Sequence, residues 1–467
     1  MDPTEVREID NPLITREARA YSLRQLAHRA GVENDWLRTW RIEHWPDRTI
    51  VYPLSDQPEC QVIFRHAPPE HWEHIRHGFK PVQHVKRTNG QANGGPPDYV
   101  LPFLEDGRLE TLFLMRCTTA ECRTDILASI VLTLSRYEET LPGPRDSHGR
   151  FPATASLSVT HGFADRPTVD ELGVAFREVL THICPAWRPA KRSLRVHLTH
   201  DVDEIGIPPR LRKVAKHAVR SGARSAVRDL ISLGGGRPAA LTSVLDTVLI
   251  ALSHRLRCAV FWKASSPGDF DSGYEITDSR VAEVICALRE ARIELGVHPG
   301  YDTFLNSQLL RDEVTRITQM LSPDHPIGGR QHFLRWSPEM WREWERCGLS
   351  YDSSVGFSER IGFRAGTCHP YAPWFLSENR EGRILEIPLI AMDCALTGPM
   401  RLRDENCIEA LLQVANTCRS YGGVFTLLWH TDSILDPMYR DVYKRVVENL
   451  AGESNYDWQA DRCLVAA

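Results

Sequence analysis

LRVHLTHDVD (194–203) is the stretch on which the reading of the fold turns. It begins as an apolar run rich in β-formers and ends in an acidic pair, Asp201 and Asp203, within THDVDE (199–204). Successive side chains of an extended chain alternate between faces, so Asp201 and Asp203 point together while His200 and Val202 point the other way. Two adjacent carboxylates repel unless a cation or a shared proton relieves them, an arrangement that suits a divalent metal with a base beside it. Taken alone, such a pair is more often a surface turn than a site.

Five later stretches share the apolar texture: RCAVFWKA (257–264), RIELGVHPG (292–300), LSYDSSVGF (349–357), RILEIPLIAM (383–392) and GVFTLLWH (423–430). Amphipathic helices are expected between several of them, at 278–291, 337–348 and 406–420. Strand–helix alternation predicts a parallel α/β sheet with crossover helices, open or closed into a barrel, whose chemistry collects at the C-terminal strand ends. GVHPGYDT (296–303) puts His298 at one such end, with Asp302 four residues on. GGRQHFLRW (328–336) crowds Arg330, His332, Arg335 and Trp336 into one turn, and LLWH (427–430) ends the last strand with His430. Each signal is weak singly; together they point to a metal hydrolase site.

The first 190 residues read as a separate, smaller α+β domain, with residues 191–467 forming the second. A helix over 16–31 ends at a glycine, and short strands are expected at Thr49–Leu54, Cys60–Arg65 and Leu109–Arg116. KRTNGQANGGPPD (86–98) reads as a long exposed loop. SLRQLAHRAGV echoes half of a helix-turn-helix, but no basic second helix follows, so it is read as an ordinary packed helix. DILASIVLTLSRYEETLPGPRDSHGRF (125–151) reads as an apolar helix running into an interdomain loop. RPTVDELGVAFREVLTHI (166–183) is a helix opened by Pro167, and PAWRPAKRS (185–193) is a linker that sets the boundary near 190.

Composition narrows the function classes. Of the 467 residues, 42% are hydrophobic and 25% charged, which excludes collagenous and largely disordered chains. Lys+Arg 56 against Asp+Glu 61 leaves a net charge of −5, with no basic surplus to hold nucleic acid or an anionic membrane. The 12 cysteines are scattered without a CxxC pair and read as mostly reduced core thiols. The charged N-terminus is unlike a secretory signal, and Ile126–Leu134 falls well short of the ~20 apolar residues of a membrane span, so a cytoplasmic protein is expected. There is no GxSxG elbow, P-loop or strand-following GxGxxG; Gly234–Gly236 reads as a loop after a helix.

The order of motifs over 194–430 resembles the polysaccharide deacetylase superfamily, the NodB-homology or carbohydrate esterase family four enzymes. The resemblance implies a distorted (β/α) barrel and metal-dependent hydrolysis of an N-acetyl group on a sugar or glycan. In it Asp201 is the base and Asp203 a metal ligand, His298 supplies a metal imidazole, Arg330 orients the catalytic Asp, and His430 is the general acid. The second metal histidine of the family's HxxxH is Asp302 here. The third ligand therefore lies between Asp302, which keeps the spacing, and His332, which is favoured because it preserves one carboxylate with two imidazoles. One divalent metal is implied, with zinc favoured. Tyr301, Trp336 and Arg364 are candidates to line a sugar groove. The first domain resembles the uncharacterised domain fused ahead of such deacetylases in surface-polysaccharide gene neighbourhoods, through SRYEE and D-x-H-G-R-F (135–151). The alternative is a catalytically inactive, deacetylase-like binding or assembly protein of glycan synthesis.

Overall fold

The computed structural model describes residues 13–54, 56–87, 98–104, 108–206, 239–321 and 327–464. Most of the 86–98 loop and the Gly234–Gly236 run lie outside these residues. The chain forms two compact units. The first comprises residues up to Gly143, Pro167–Lys191 and Trp374–Glu381; the second comprises Pro144–Arg166, Arg192–Pro373 and Gly382 onward. The expected division near 190 is therefore accompanied by two exchanges of chain, which revises the simple split into 1–190 and 191–467.

The first unit is α+β. Its main sheet runs in the order Arg41–Trp45, Arg48–Tyr52, Gln61–Arg65, Thr119–Cys122, Phe113–Met115, and a second sheet joins Asp98–Pro102, Val82–Lys86 and Arg108–Leu109. The Arg16–Ala30 helix is capped by the Thr15 side chain and ends at Gly31, whose φ of 89° favours glycine. It packs on the Ile126–Leu134 and Thr168–Ile183 helices. Buried ion pairs Arg19–Asp125 (2.6 Å) and Arg29–Asp170 (2.9 Å) tie these helices together.

In the second unit the strands Glu294–Val297, Cys258–Trp262, Arg195–Asp201, Val424–Leu428 and Ala391–Met392 lie side by side in that order, every pair parallel. Ser454–Asn455 adds a short parallel partner at the start of Arg195–Asp201. All five are buried along their whole length apart from Arg195 and Glu294, as expected of a parallel sheet covered on both faces. The sheet continues past Val297 through single parallel bridges to Gly329 and then Asp352, and Tyr351–Asp352 pairs with Leu385–Glu386. RILEIPLIAM, expected as one strand, is two: Ile387 N donates to Asp352 O (2.9 Å) and Ile390 N to Thr426 O (3.1 Å). Pro388 between them has no N–H to give a ladder. The result is a parallel α/β array that, among the described residues, does not close into the distorted barrel the resemblance implied, because single bridges and a proline-broken segment stand where continuous ladders would be. Among the helices, Ser279–Glu290, Pro338–Arg346 and Asp404–Tyr421 form within a few residues of their expected bounds. Phe261, Tyr351, Ile387, Val424 and Trp458 fill one core cluster inside the array.

Candidate metal centre

Strand order brings the chemistry together. Asp201 closes its strand, and its neighbours in register are Phe261 on one side and, two residues earlier at Thr199, Leu428 on the other. The turns that follow Asp201, Trp262, Val297 and Leu428 therefore open on one end of the sheet. His200 turns away, as alternation requires: its Nδ1 meets Trp429 O at 2.8 Å and its Nε2 meets the Tyr443 hydroxyl at 3.2 Å.

Asp203, His298 and His332 converge at that end, with one potential ligand atom from each lying within 4.8 Å of the others. Asp203 Oδ1 is 3.2 Å from both His298 Nε2 and His332 Nε2. The far nitrogen of each ring faces an acceptor: His298 Nδ1 meets Arg330 O at 2.7 Å, and His332 Nδ1 lies 2.8 Å from Asp271 Oδ1. The His298 Nδ1 must donate to the Arg330 carbonyl, so with an ion in place of the Asp203 contact its Nε2 would present the lone pair a metal ligand needs. One carboxylate and two imidazoles so disposed fit a divalent ion such as zinc. Asp302, which keeps the HxxxH spacing, is exposed and stands outside this cluster.

The loops that carry the imidazoles are held firmly. Gly300 N donates to Glu313 (2.7 Å) and Tyr301 N to Asp271 (2.7 Å), while His332 begins a tight turn in which Phe333 and Leu334 take φ of 61° and 49°. Two consecutive residues with positive φ cost backbone strain, which the surrounding structure must hold. Burial opposes ionisation of Asp203, but the His332 and Lys263 charges and hydrogen bonds from His298 and His332 outweigh it, holding its pKa well below the carboxylate range. Burial likewise opposes protonation of His332, yet the Asp203 charge prevails and raises its pKa.

Beside this cluster Asp201, 1% exposed, accepts from Arg330 Nη1 at 3.0 Å. Arg330 is fully buried and is aimed by Ser353, donating Nε to its carbonyl (2.8 Å) and Nη2 to its hydroxyl (3.0 Å). His430 approaches from just past the Val424–Leu428 strand, its Nε2 3.7 Å from Asp203 Oδ2. Its Nδ1 lies 2.7 Å from Asp393 Oδ1, and Asp393 Oδ2 accepts from His430 N (3.0 Å) and Ser433 Oγ (2.6 Å). Burial would lower the His430 pKa, but the Asp393 charge overrides it and keeps the imidazole protonated well above its usual range.

The three residues expected to line a sugar groove are placed differently. Trp336 is 1% exposed and packs edge-on against Trp341, with the Arg364 guanidinium 5.5 Å from its ring. Arg364 is itself buried and donates to Gly356 O at 2.8 Å. Both belong to the core, where a large aromatic ring and a cation satisfy one another. Tyr301 is buried too, with its hydroxyl on His148. Three residues beside the cluster, and His148 next to Tyr301, were not anticipated. Lys263 and Asp393 each follow a strand end, so their positions carried a usable signal; Asp271 and His148 sit in loops that have no periodicity to mark them. Lys263 is 1% exposed and lies 3.3 Å from Asp271 Oδ1 and 3.6 Å from Asp203 Oδ1.

Comparison with known proteins adds the following. Residues 70–185 match the model of a family of unknown function, DUF7033. No curated protein matches the chain. Among solved structures it is similar to an assigned polysaccharide deacetylase from Mycobacterium smegmatis, at 18% identity over 60% of this chain and 92% of that one, with a TM-score of 0.43. It is also similar to an assigned polysaccharide deacetylase involved in O-antigen biosynthesis from Bordetella bronchiseptica (15% identity, 58% and 89% coverage, TM-score 0.31). A third is PuuE allantoinase (15%, 60% and 91%, TM-score 0.41). Structures of polysaccharide deacetylases are thus among those that this chain resembles.

Proposed function

We propose that the chain is a metal-dependent hydrolase that removes the N-acetyl group from a sugar or a glycan precursor. The observation that carries this reading is the convergence of Asp203, His298 and His332, flanked on one side by the Asp201–Arg330 pair and on the other by His430–Asp393. Asp203, His298 and His332 would hold one divalent ion, zinc favoured, which when bound supplies Lewis acidity toward the acetyl carbonyl and acidifies water. Asp201 accepts the proton of the attacking water. Arg330 keeps Asp201 aimed by its hydrogen bond. His430, oriented through Nδ1 by Asp393, delivers a proton to the departing amine, which leaves poorly as an anion.

The experiment is metal analysis of the purified chain followed by acetate release from a panel of N-acetylated sugars. Metal-dependent release supports the reading; tight metal binding with no release from any sugar would replace it with a binding or assembly role. That second reading has one observation in its favour. The Lys263 ammonium, 3.6 Å from Asp203 Oδ1, already neutralises part of the charge that an ion would use.

A further inference from the structure

PRDSHGRF (144–151) belongs to the second unit, and it is built as a rigid turn. Asp146 Oδ1 accepts from His148 N and Arg150 N, both at 2.9 Å, and Asp146 Oδ2 pairs with Arg150 Nε at 2.7 Å. The turn is fastened to the two loops that carry His298 and His332. Arg150 Nη1 donates to Phe333 O (2.6 Å), Arg335 Nε to His148 O (2.7 Å) and Arg335 Nη1 to Tyr301 O (2.9 Å). The His148 imidazole is thereby held against the Tyr301 hydroxyl, 3.0 Å from Nδ1, and against the rings of Phe270 (5.2 Å) and Phe333 (5.0 Å).

Tyr301 supports this group without being open to solvent: Phe270 stacks on its ring at 4.2 Å and 25°, and the Arg335 guanidinium lies 4.1 Å from its centroid. Phe270 is the open member, 45% exposed. Stacked on Tyr301 by one face, Phe270 leaves the other available to an apolar partner. Its position is informative, because Phe270 directly precedes Asp271, which faces His332, and Phe333 directly follows His332. The aromatic group therefore borders the metal centre, one residue from it on two loops. His148 adds a polar edge, its Nδ1 bonded to Tyr301 and its Nε2 without a hydrogen-bond partner among the described residues.

We infer that this rim is a carbohydrate subsite, in which Phe270 stacks on the C–H face of a pyranose ring and His148 Nε2 hydrogen-bonds a ring hydroxyl. A pyranose presents both surfaces at once, an apolar face and a hydroxyl edge, whereas a small amide filling only the metal centre would touch neither residue. The 144–166 segment, part of the stretch that matches a family of unknown function, then sets substrate choice. This inference rests on the sugar-deacetylase reading and extends it to the part of the substrate remote from the acetyl group.

The test uses the full-length chain carrying Asp201→Asn and saturated with zinc, so that sugar binding is measured without turnover. The probes are N-acetylglucosamine and its linear oligomers of two to four units, with acetamide as the control, followed by calorimetry. Oligomers should bind, and Phe270→Ala and His148→Ala should each weaken them tenfold or more without changing zinc content or melting temperature. Phe270→Trp should retain binding where Phe270→Leu does not, a dependence on aromaticity that packing alone would not produce. Binding within twofold of the parent in both alanine variants, or no binding of any saccharide by the parent, would overturn the subsite. Failure of the deacetylase reading looks different: saccharides bind and the variants weaken them, but the unsubstituted chain releases no acetate.

Discussion

At Asp203 two imidazoles and an ammonium compete for one carboxylate: His298 and His332 at 3.2 Å and Lys263 at 3.6 Å. Asp302, which keeps the sequence spacing, lies outside the group that Asp203, His298 and His332 form. Asp203→Ala, His298→Ala and His332→Ala should each lower zinc affinity at least tenfold, while exposed Asp302→Ala should leave it unchanged. Titration against a competing chelator checks this, and a loss on Asp302→Ala with none on His332→Ala would reverse the assignment. Asp201→Asn should behave differently from all of these. It keeps the shape and the Arg330 contact but removes the proton acceptor, so zinc content should be retained while acetate release falls by a factor on the order of 10² or more. These strand-end residues were legible because position alone marks them: a parallel sheet gathers whatever follows its strands. The support beneath them was less so, since Asp271 and His148 lie in loops where only folding reveals a neighbour.

At the scale of elements, the short pairing of Tyr351–Asp352 with Leu385–Glu386 sets Asp352 opposite Glu386, both fully buried. Burial pushes Asp352 up to about 7, and burial together with the Asp352 charge holds Glu386 well above the carboxylate range. Ser354 N donates to Asp352 Oδ1 at 3.0 Å, and Trp341 Nε1 donates to Glu386 Oε2 at 2.8 Å, so the pair is hydrogen-bonded although its charge is disfavoured. A carboxyl with a raised folded pKa keeps protons that the unfolded chain releases. Its stabilising contribution is complete below the unfolded value of about 3.9 and is lost as pH rises through about 7. Asp352→Asn keeps an acceptor for Ser354 and abolishes this titration, so the melting temperature of the unsubstituted chain should fall relative to the variant between pH 5 and pH 8. Parallel pH profiles would refute it. The same neighbourhood shows where periodicity stops being informative. Gly328–Gly329 reads as a loop, yet a Cβ on Gly329 would sit 1.8 Å from Val297 O, so glycine is what lets the chain approach closely enough to bridge Val297 and Asp352. Similarly, Pro388 in an otherwise strand-like run marks a break that the apolar pattern conceals.

At the scale of the molecule, the change of texture near 190 was readable from a Pro-rich linker, but the return of residues 144–166 to the second unit was not, because Pro, Gly and charge there describe any surface connection equally well. Their packing is not that of a connection. Ala153 and Ala164 are buried against Phe357 with Val159 beside them, Phe363 N donates to Ala164 O at 2.8 Å, and a Cβ on Gly362 would lie 2.4 Å from the same oxygen. A fragment of residues 191–467 therefore lacks part of its own unit. Uncovering Phe357 and the Ala164 contact should destabilise it by roughly 2 kcal/mol or more, the scale of one large apolar side chain returned to water. The fragment should melt below the second unit of the intact chain and bind a dye for exposed apolar surface, and a synthetic 144–166 peptide added in excess should raise its melting temperature and displace the dye. Because the peptide also brings the D-x-H-G-R turn, it should restore oligosaccharide binding that the fragment lacks. A fragment that melts with the intact unit, and is indifferent to the peptide, would show that 144–166 is only a connection after all.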